Sequence, residues 1–255
     1  MSVLQTFSLE GKRALVTGAS RGLGRGMAEA LADAGADVVC ASSRKDGALE
    51  TAKTICEKGR QAWTVSADLA DRDAVQRMAD DAERAAGSID VLVNAAGTIA
   101  RYTATEFPEV EWDRVLRTNL DAVWLLCQRF GRAMVERGSG KIINVASLLS
   151  FSGGVTVPAY TASKHAVAGL TKALANEWAK SNVQVNAIAP GYFATDNTQP
   201  LRDDAQRFKE ISARIPAERW GSPSDLAGAV VFLASAASNY VNGHVLVVDG
   251  GWMAR

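Results

Sequence analysis

Arg13-Ala14-Leu15-Val16-Thr17-Gly18-Ala19-Ser20-Arg21-Gly22-Leu23-Gly24 decides how this chain begins to fold. The apolar run from Ala14 to Val16 is short and bounded, the pattern of a buried strand. A glycine-rich turn follows, and a helical pattern then runs over residues 23–34 until Gly35 stops it. Ala36-Asp37-Val38-Val39-Cys40-Ala41 has the pattern of a second strand. Strand, helix and strand make one β–α–β unit, and the backbone N–H groups at its helix N-terminus can face a pyrophosphate. Glycines let the backbone approach phosphates and let helix and strand pack closely. The spacing Gly18-x3-Gly22-x-Gly24 differs from the G-x-G-x-x-G fingerprint.

The same alternation continues outward. Apolar runs over residues 90–93, 141–146, 183–188 and 245–248 read as further strands, with helix-like stretches between them. The pattern predicts an α/β fold, a single-domain Rossmann-type doubly wound parallel sheet with helices on both faces. At 255 residues and 47% hydrophobic, the chain can bury a large core, and no linker, repeat or low-complexity segment divides it. Residues 1–255 are expected to form one domain.

Composition removes several function classes. The 28 basic and 28 acidic side chains cancel, which gives no support to nucleic-acid or membrane-surface binding. No apolar run reaches the ~18 residues of a membrane span, and no signal-like segment precedes the folding pattern that starts by Leu9. Cys40, Cys56 and Cys127 are widely spaced, and His165 and His244 are the only histidines, so no metal site is expected. Free thiols fit a reducing cytoplasm.

Tyr160-Thr161-Ala162-Ser163-Lys164 carries the chemistry. A Tyr and a Lys four apart share one helix face and reach the same small volume. A phenol ordinarily ionises near pH ~10; a nearby ammonium lowers that value and makes the phenol useful for proton transfer. Ser147 ends the strand-like run over 141–146, where ligands bind in open α/β sheets. A hydroxyl there can donate to a carbonyl oxygen that gains negative charge.

Taken in order, these residues resemble the short-chain dehydrogenase/reductase family. The resemblance spans nearly the whole chain: Thr17-Gly18-x3-Gly22-x-Gly24, Asp68-Leu69, Asn94-Ala95-Ala96-Gly97, Asn119, Ser147, Tyr160 with Lys164, and Pro190-Gly191 with Thr195. It implies that Tyr160 is the general acid in carbonyl reduction and the base in alcohol oxidation. It implies that Lys164 lowers the Tyr160 pKa and holds the nicotinamide ribose, that Ser147 polarises the carbonyl, and that Asn119 helps hold a water linking Lys164 to solvent. Asp68 and Leu69 would border the adenine, Asn94 to Gly97 would line the strand end beside the ribose, and Ile188 with Thr195 would hold the carboxamide. Asn94-Ala95-Ala96-Gly97 departs from the family's Asn-Asn-Ala-Gly by one lost side-chain hydrogen-bonding group.

The end of the second strand bears on the cofactor. An acidic side chain there would bind the ribose hydroxyls and repel a 2′-phosphate. Ala41-Ser42-Ser43-Arg44 has none, and Arg44, Arg21, Ser42 and Ser43 can all pair with a phosphate. NADP(H) is favoured, with NAD(H) as the alternative. Ser20 and Leu23 complete the glycine turn expected around it.

Substrate should fall to residues 98–107, 148–158 and 191–220, the last long and charged enough for a mobile lid. The stretches 146–154, 189–199 and 240–255 resemble one subfamily, the 2-deoxy-D-gluconate 3-dehydrogenases, also called 2-dehydro-3-deoxy-D-gluconate 5-dehydrogenases. A sugar acid needs a cation for its carboxylate and donors for its hydroxyls. Arg101 and Arg202 are the candidate cations, Asn197, Thr198 and Gln199 the candidate donors, and Leu149 a further substrate contact.

Two other readings stand beside this one. A 3-oxoacyl thioester reductase resembles the chain over the same core; Arg132 matches one carrier-docking position of that group, but Asn176 stands where its second Arg would be. A non-catalytic nucleotide-binding regulator would be free to lose Asn119, Ser147, Tyr160 and Lys164, and all four are present. Apolar groups on more than one face of the helix after Tyr160 suggest a subunit interface, and the resemblance implies a homotetramer.

Overall fold

The computed structural model describes residues 2–255; the expected 1–255 domain therefore includes Met1, which lies outside the described residues. The first half runs β1 (Arg13–Thr17), α1 (Gly22–Asp33), β2 (Asp37–Ser42), α2 (Leu49–Glu57), β3 (Ala62–Ser66), α3 (Arg72–Ala86), β4 (Val91–Asn94) and α4 (Glu109–Leu116). The second runs α5 (Ala122–Arg137), β5 (Gly140–Val145), α6 (Pro158–Trp178), β6 (Val183–Pro190), α7 (Gln199–Asp203), α8 (Ala205–Arg214), α9 (Ala227–Ala234) and β7 (Val245–Val248).

The strands form one seven-stranded sheet in the order β3-β2-β1-β4-β5-β6-β7, and every pairing is parallel. Successive side chains of a strand face opposite sides of the sheet, and β1 shows the consequence. Ala14 and Val16 pack with Met27 and Leu31 of α1 and Val230 of α9, whereas Leu15 packs with Met78 of α3 and Phe130 of α5. Burial on both faces explains why the strands read as continuous apolar runs.

The expected strands lie within two residues of their places, but β3 escaped the sequence reading. Ala62-Trp63-Thr64-Val65-Ser66 is an edge strand, half-buried at best, and lacks the apolar run of the inner strands. The last strand, β7, is also only half-buried.

Strand order reverses between β1 and β4, and ligand clefts in open α/β sheets form at such a point beyond the strand ends. Here the two turns nearly touch. A Cβ on Gly18, which has φ +68°, would lie 2.9 Å from the Cα of Ala96. One on Gly24 would collide with the Gly18 carbonyl oxygen. Only glycine permits this approach of α1 to the turn after β1. Thr17 joins the two turns: its Oγ1 accepts from the N–H groups of Ala95 at 3.0 Å and Ala96 at 3.1 Å.

Candidate active site

A cleft of about 520 Å³ opens where these turns meet. The glycine turn borders it with Gly18, Ser20, Arg21, Gly22, Leu23 and Gly24. Ser42, Ser43, Asp68 and Leu69 border it from the ends of β2 and β3, and Ala95, Ala96 and Gly97 from the end of β4. Ser147, Tyr160, Lys164, Pro190, Gly191, Thr195, Asn197 and Thr198 close the other side. Residues from seven segments of the chain therefore meet in one volume.

Ser147 caps the short turn after β5, its Oγ accepting from the Leu149 N–H at 3.1 Å. Tyr160 stands in the first turn of α6, which begins at Pro158, a residue whose fixed φ suits that position. Burial pushes the Tyr160 phenol up from its ordinary value, while the Ser147 hydroxyl beside it and the charge of Arg101 pull it down. Lys164, one turn on, is buried, and desolvation lowers its ammonium to about 8. Its Nζ lies 5.6 Å from the Tyr160 ring centroid and donates to the Val145 carbonyl at 2.6 Å. Ser147 and Arg101 thus pull the phenol down, and the Lys164 ammonium stands beside it, tied to the main chain.

Asn119 is fully buried in a π turn, Arg117–Asp121, between α4 and α5; such turns are frequent at functional sites. Its Oδ1 accepts from the Thr98 N–H at 2.8 Å, and its Nδ2 donates to the Thr98 carbonyl at 2.9 Å and to Ser163 Oγ at 3.2 Å. It thus fastens the residue after Gly97 to α6, just behind the cleft wall.

Several expected contacts are corrected. Asn94 does not line the strand end: its side chain turns into the core, donating to Asn144 Oδ1 at 2.9 Å and to Cys127 Sγ at 3.4 Å. Ile188 is likewise buried in the sheet. Ser42 spends its hydroxyl on the Arg44 carbonyl at 2.7 Å, and Arg44 is exposed outside the cleft lining. Leu149 packs beside Gly154 and away from the cleft.

The polar lid candidates separate in the same way. Thr198 borders the cleft, but its hydroxyl donates to the Phe193 carbonyl at 2.6 Å, with the Thr195 carbonyl 3.0 Å away. Gln199 donates to Asp203 at 2.6 Å. Arg202 donates through Nη2 to the Thr195 carbonyl at 3.2 Å and to Gln199, so it braces the lid root, while its buried Nε has no partner among the described residues. Asn197 borders the cleft, and Arg101 reaches it by donating to the Asn197 carbonyl at 3.4 Å. Arg219 forks onto Asp225 at 2.8 and 2.7 Å.

Thr17 of the glycine motif also borders the cleft, as do Thr98, Arg114, Thr118 and Asp196, which were not named as site residues from the sequence. Arg114 donates to Thr98 Oγ1 at 2.7 Å, beside the Asn119 bonds. A helical Arg carries no local mark of such a role, although Thr17 was legible as the residue opening the glycine turn.

Among the described residues there is no group of three or more His, Cys, Asp or Glu side chains that could hold a metal ion, and no helix is long and apolar enough to cross a membrane. Cys40, Cys56 and Cys127 are free. Burial pushes the thiols of Cys40 and Cys127 up to about 12.

Comparison with known proteins agrees with this geometry. A family model described as enoyl-(acyl carrier protein) reductase matches residues 18–253. The chain is 54% identical over 249 residues to 2-dehydro-3-deoxy-D-gluconate 5-dehydrogenase of Bacillus subtilis (strain 168), covering 98% of this chain and 97% of that protein. It is 52% identical over 254 residues to the Escherichia coli (strain K12) protein of the same name, covering 99% and 100%. The solved structure of a gluconate 5-dehydrogenase from Burkholderia cenocepacia J2315, in complex with NADP and tartrate, superposes with a TM-score of 0.95 at 40% identity, over 100% of both chains. A match that starts at Gly18 and runs through Tyr160 and Lys164 to Met253, with whole-length relatives above half identity, makes this chain a member of the short-chain dehydrogenase/reductase family.

Proposed function

We propose that the protein is an NADP(H)-dependent oxidoreductase that interconverts a hydroxyl and a keto group on a sugar acid, as a 2-dehydro-3-deoxy-D-gluconate 5-dehydrogenase does. The observation that carries the reading is the convergence of Ser147, Tyr160 and Lys164 on the same cleft as the glycine turn.

The cleft fits a dinucleotide. The pinch between Gly18 and Ala96 leaves backbone where a side chain would fill the space, and the first turn of α1 offers its N–H groups to a diphosphate. Lys164 is buried, yet among the described residues its ammonium has one hydrogen-bond partner, the Val145 carbonyl. An ammonium has three donors, so two remain for ribose hydroxyls. Ser20, Gly22 and Thr195 would hold the diphosphate and carboxamide end, Asp68 and Leu69 the adenine, and Arg21 with Ser43 a 2′-phosphate. The cofactor, when bound, supplies a hydride donor or acceptor.

In the direction of reduction, Tyr160 Oη passes its proton to the carbonyl oxygen as negative charge develops there, and Ser147 Oγ donates a hydrogen bond to the same oxygen. In oxidation Tyr160 takes the hydroxyl proton back. Arg101, close enough to the phenol to lower its pKa, binds the substrate carboxylate, and Asn197 serves a hydroxyl.

Residues 191–220 act as a lid on a single domain. Its helices are tied to the chain end: Phe208 stacks on Trp220 at 5.7 Å, Trp220 meets Tyr192 at 5.4 Å, and Tyr192 meets Trp252 at 4.6 Å. Arg214 lies over the Trp252 ring at 4.1 Å, and Arg255 donates to the Ala213 carbonyl at 2.8 Å. The C-terminus thus braces its own subunit's lid. A homotetramer and a cytoplasmic location belong to the same reading. The half-buried edge strand β7 and the exposed Ala162, Gly169 and Ala173 on α6 support the former, and the free thiols the latter.

The deciding measurement is the initial rate of nicotinamide oxidation with a 3-deoxy keto sugar acid and either NADPH or NADH. Turnover with NADPH ahead of NADH is expected. No turnover with either would end the sugar-acid reading and bring acyl thioesters forward.

A further inference from the structure

Arg21 and Asp196 form an ion pair across the mouth of the cleft, Nη1 to Oδ2 at 3.1 Å, with both side chains about two-thirds exposed at 69% and 68%. Arg21 belongs to the glycine turn, and Asp196 opens the short helical turn Asp196–Thr198 at the root of the lid. The residue between Asp196 and the cleft floor, Thr195, packs its methyl 3.6 Å from where a Gly22 Cβ would be. Turn and lid root therefore lie close together here and are joined by charge.

The cleft has two other lining cations, and neither is free for this end. Lys164 is buried against Val145, and Arg114 is held by Glu111 and Thr98. Arg44 stands outside the lining, and Ser42 has given its hydroxyl to the Arg44 carbonyl. Among the lining residues, Arg21 is the cation left for a phosphate on the adenosine ribose, and Asp196 already holds it.

We propose that Asp196 is a specificity-determining residue: it latches Arg21 to the lid root, and the 2′-phosphate of the cofactor must displace it. The inference rests on the reading that the cofactor is NADP(H). Two consequences follow from exchange of one partner for another. Asp196 weakens binding of any ligand bearing a 2′-phosphate and leaves ligands without one unaffected, because only the former compete for Arg21. Arrival of the phosphate also releases the lid root, since the Asp196 carboxylate loses its partner.

The test uses two nicotinamide-free probes, adenosine 2′,5′-bisphosphate and adenosine 5′-monophosphate, with affinities measured by calorimetry on the full chain. The wild-type protein is expected to bind the bisphosphate more tightly. Asp196→Asn should tighten bisphosphate binding about two- to fivefold, the scale of an exposed ion pair, with the monophosphate unchanged. In an Arg21→Gln background the Asp196→Asn gain should vanish. Amide hydrogen exchange should rise over residues 195–203 when the bisphosphate binds wild type, and not with the monophosphate. An unchanged bisphosphate affinity in Asp196→Asn, or a gain that persists in Arg21→Gln, overturns the latch. Equal wild-type affinity for both probes would instead overturn the NADP(H) reading, and the latch with it.

Discussion

The Lys164 ammonium donates to the Val145 carbonyl at 2.6 Å, which anchors α6 to the end of β5 two residues before Ser147. This bond sets the distance between the helix that carries the phenol and the strand end that carries the hydroxyl. Ser150 adds a second tie, its Oγ donating to the Lys164 carbonyl at 2.6 Å. The pair Ser147 and Tyr160 is therefore held by the backbone around it as well as by its own contact.

Tyr160→Phe removes the proton donor and keeps the ring that packs with Ala100, Val115 and Ala159. Turnover should fall by about 10²–10⁴-fold, while cofactor affinity by calorimetry changes little. Retained turnover would refute the assignment of the phenol as the acid.

Lys141, at the start of β5, is buried, and desolvation lowers it from 10.5 to about 8; it donates to Ser238 at 3.2 Å and Asn239 at 2.9 Å, both neutral. Between those pH values the unfolded chain binds more protons than the folded one, so this group makes stability rise with pH across the window. Lys164 has the same sign. Relative to Lys141→Met, the wild type should gain about 1–2 kcal/mol from pH 8 to pH 10. Denaturant melts of both proteins across that range check it, and a constant difference would rule the shift out.

Thr17→Val keeps the shape of the side chain and removes the acceptor of the Ala95 and Ala96 N–H groups. Two half-buried donors lose this acceptor, with Ala95 keeping its bond to the Val93 carbonyl, a loss of about 1 kcal/mol. The turn beside Gly18 should also relax, so the KM for the cofactor should rise more than the KM for the substrate. Equal changes in both would place the effect in general stability.

Arg101→Ala should raise the KM for the sugar acid about tenfold or more, as expected for one charge-assisted hydrogen bond, with the KM for NADPH unchanged. The variant also removes a charge that lowers the Tyr160 phenol, so the pH at which the oxidation rate rises should move upward. An unchanged substrate KM would take Arg101 out of the site.

Much of the fold was legible because its signals are local. The bounded apolar runs and the Gly18, Gly22 and Gly24 spacing mark β1 and α1 within one or two residues of their observed ends. The half-buried β3 was not legible, since Ala62-Trp63-Thr64-Val65-Ser66 lacks the uniform apolar run that burial on both faces imposes on the inner strands. For the site, residues on strand ends and on one face of α6 were read correctly as lining the cleft. The failure was a side chain that could turn either way: Asn94 turns into the core, onto Asn144 and Cys127.

The sequence alone determined the β–α–β opening and the placing of Tyr160 and Lys164 on one helix face, because periodicity and spacing are properties of neighbours in the chain. The tertiary structure alone decided which partner each polar side chain takes. Lys164 meets Val145, Asn94 meets Asn144, and Arg21 meets Asp196. Each of these bonds joins different elements of the fold, and such approaches are set by how the sheet twists and the helices pack, which no local stretch of sequence encodes.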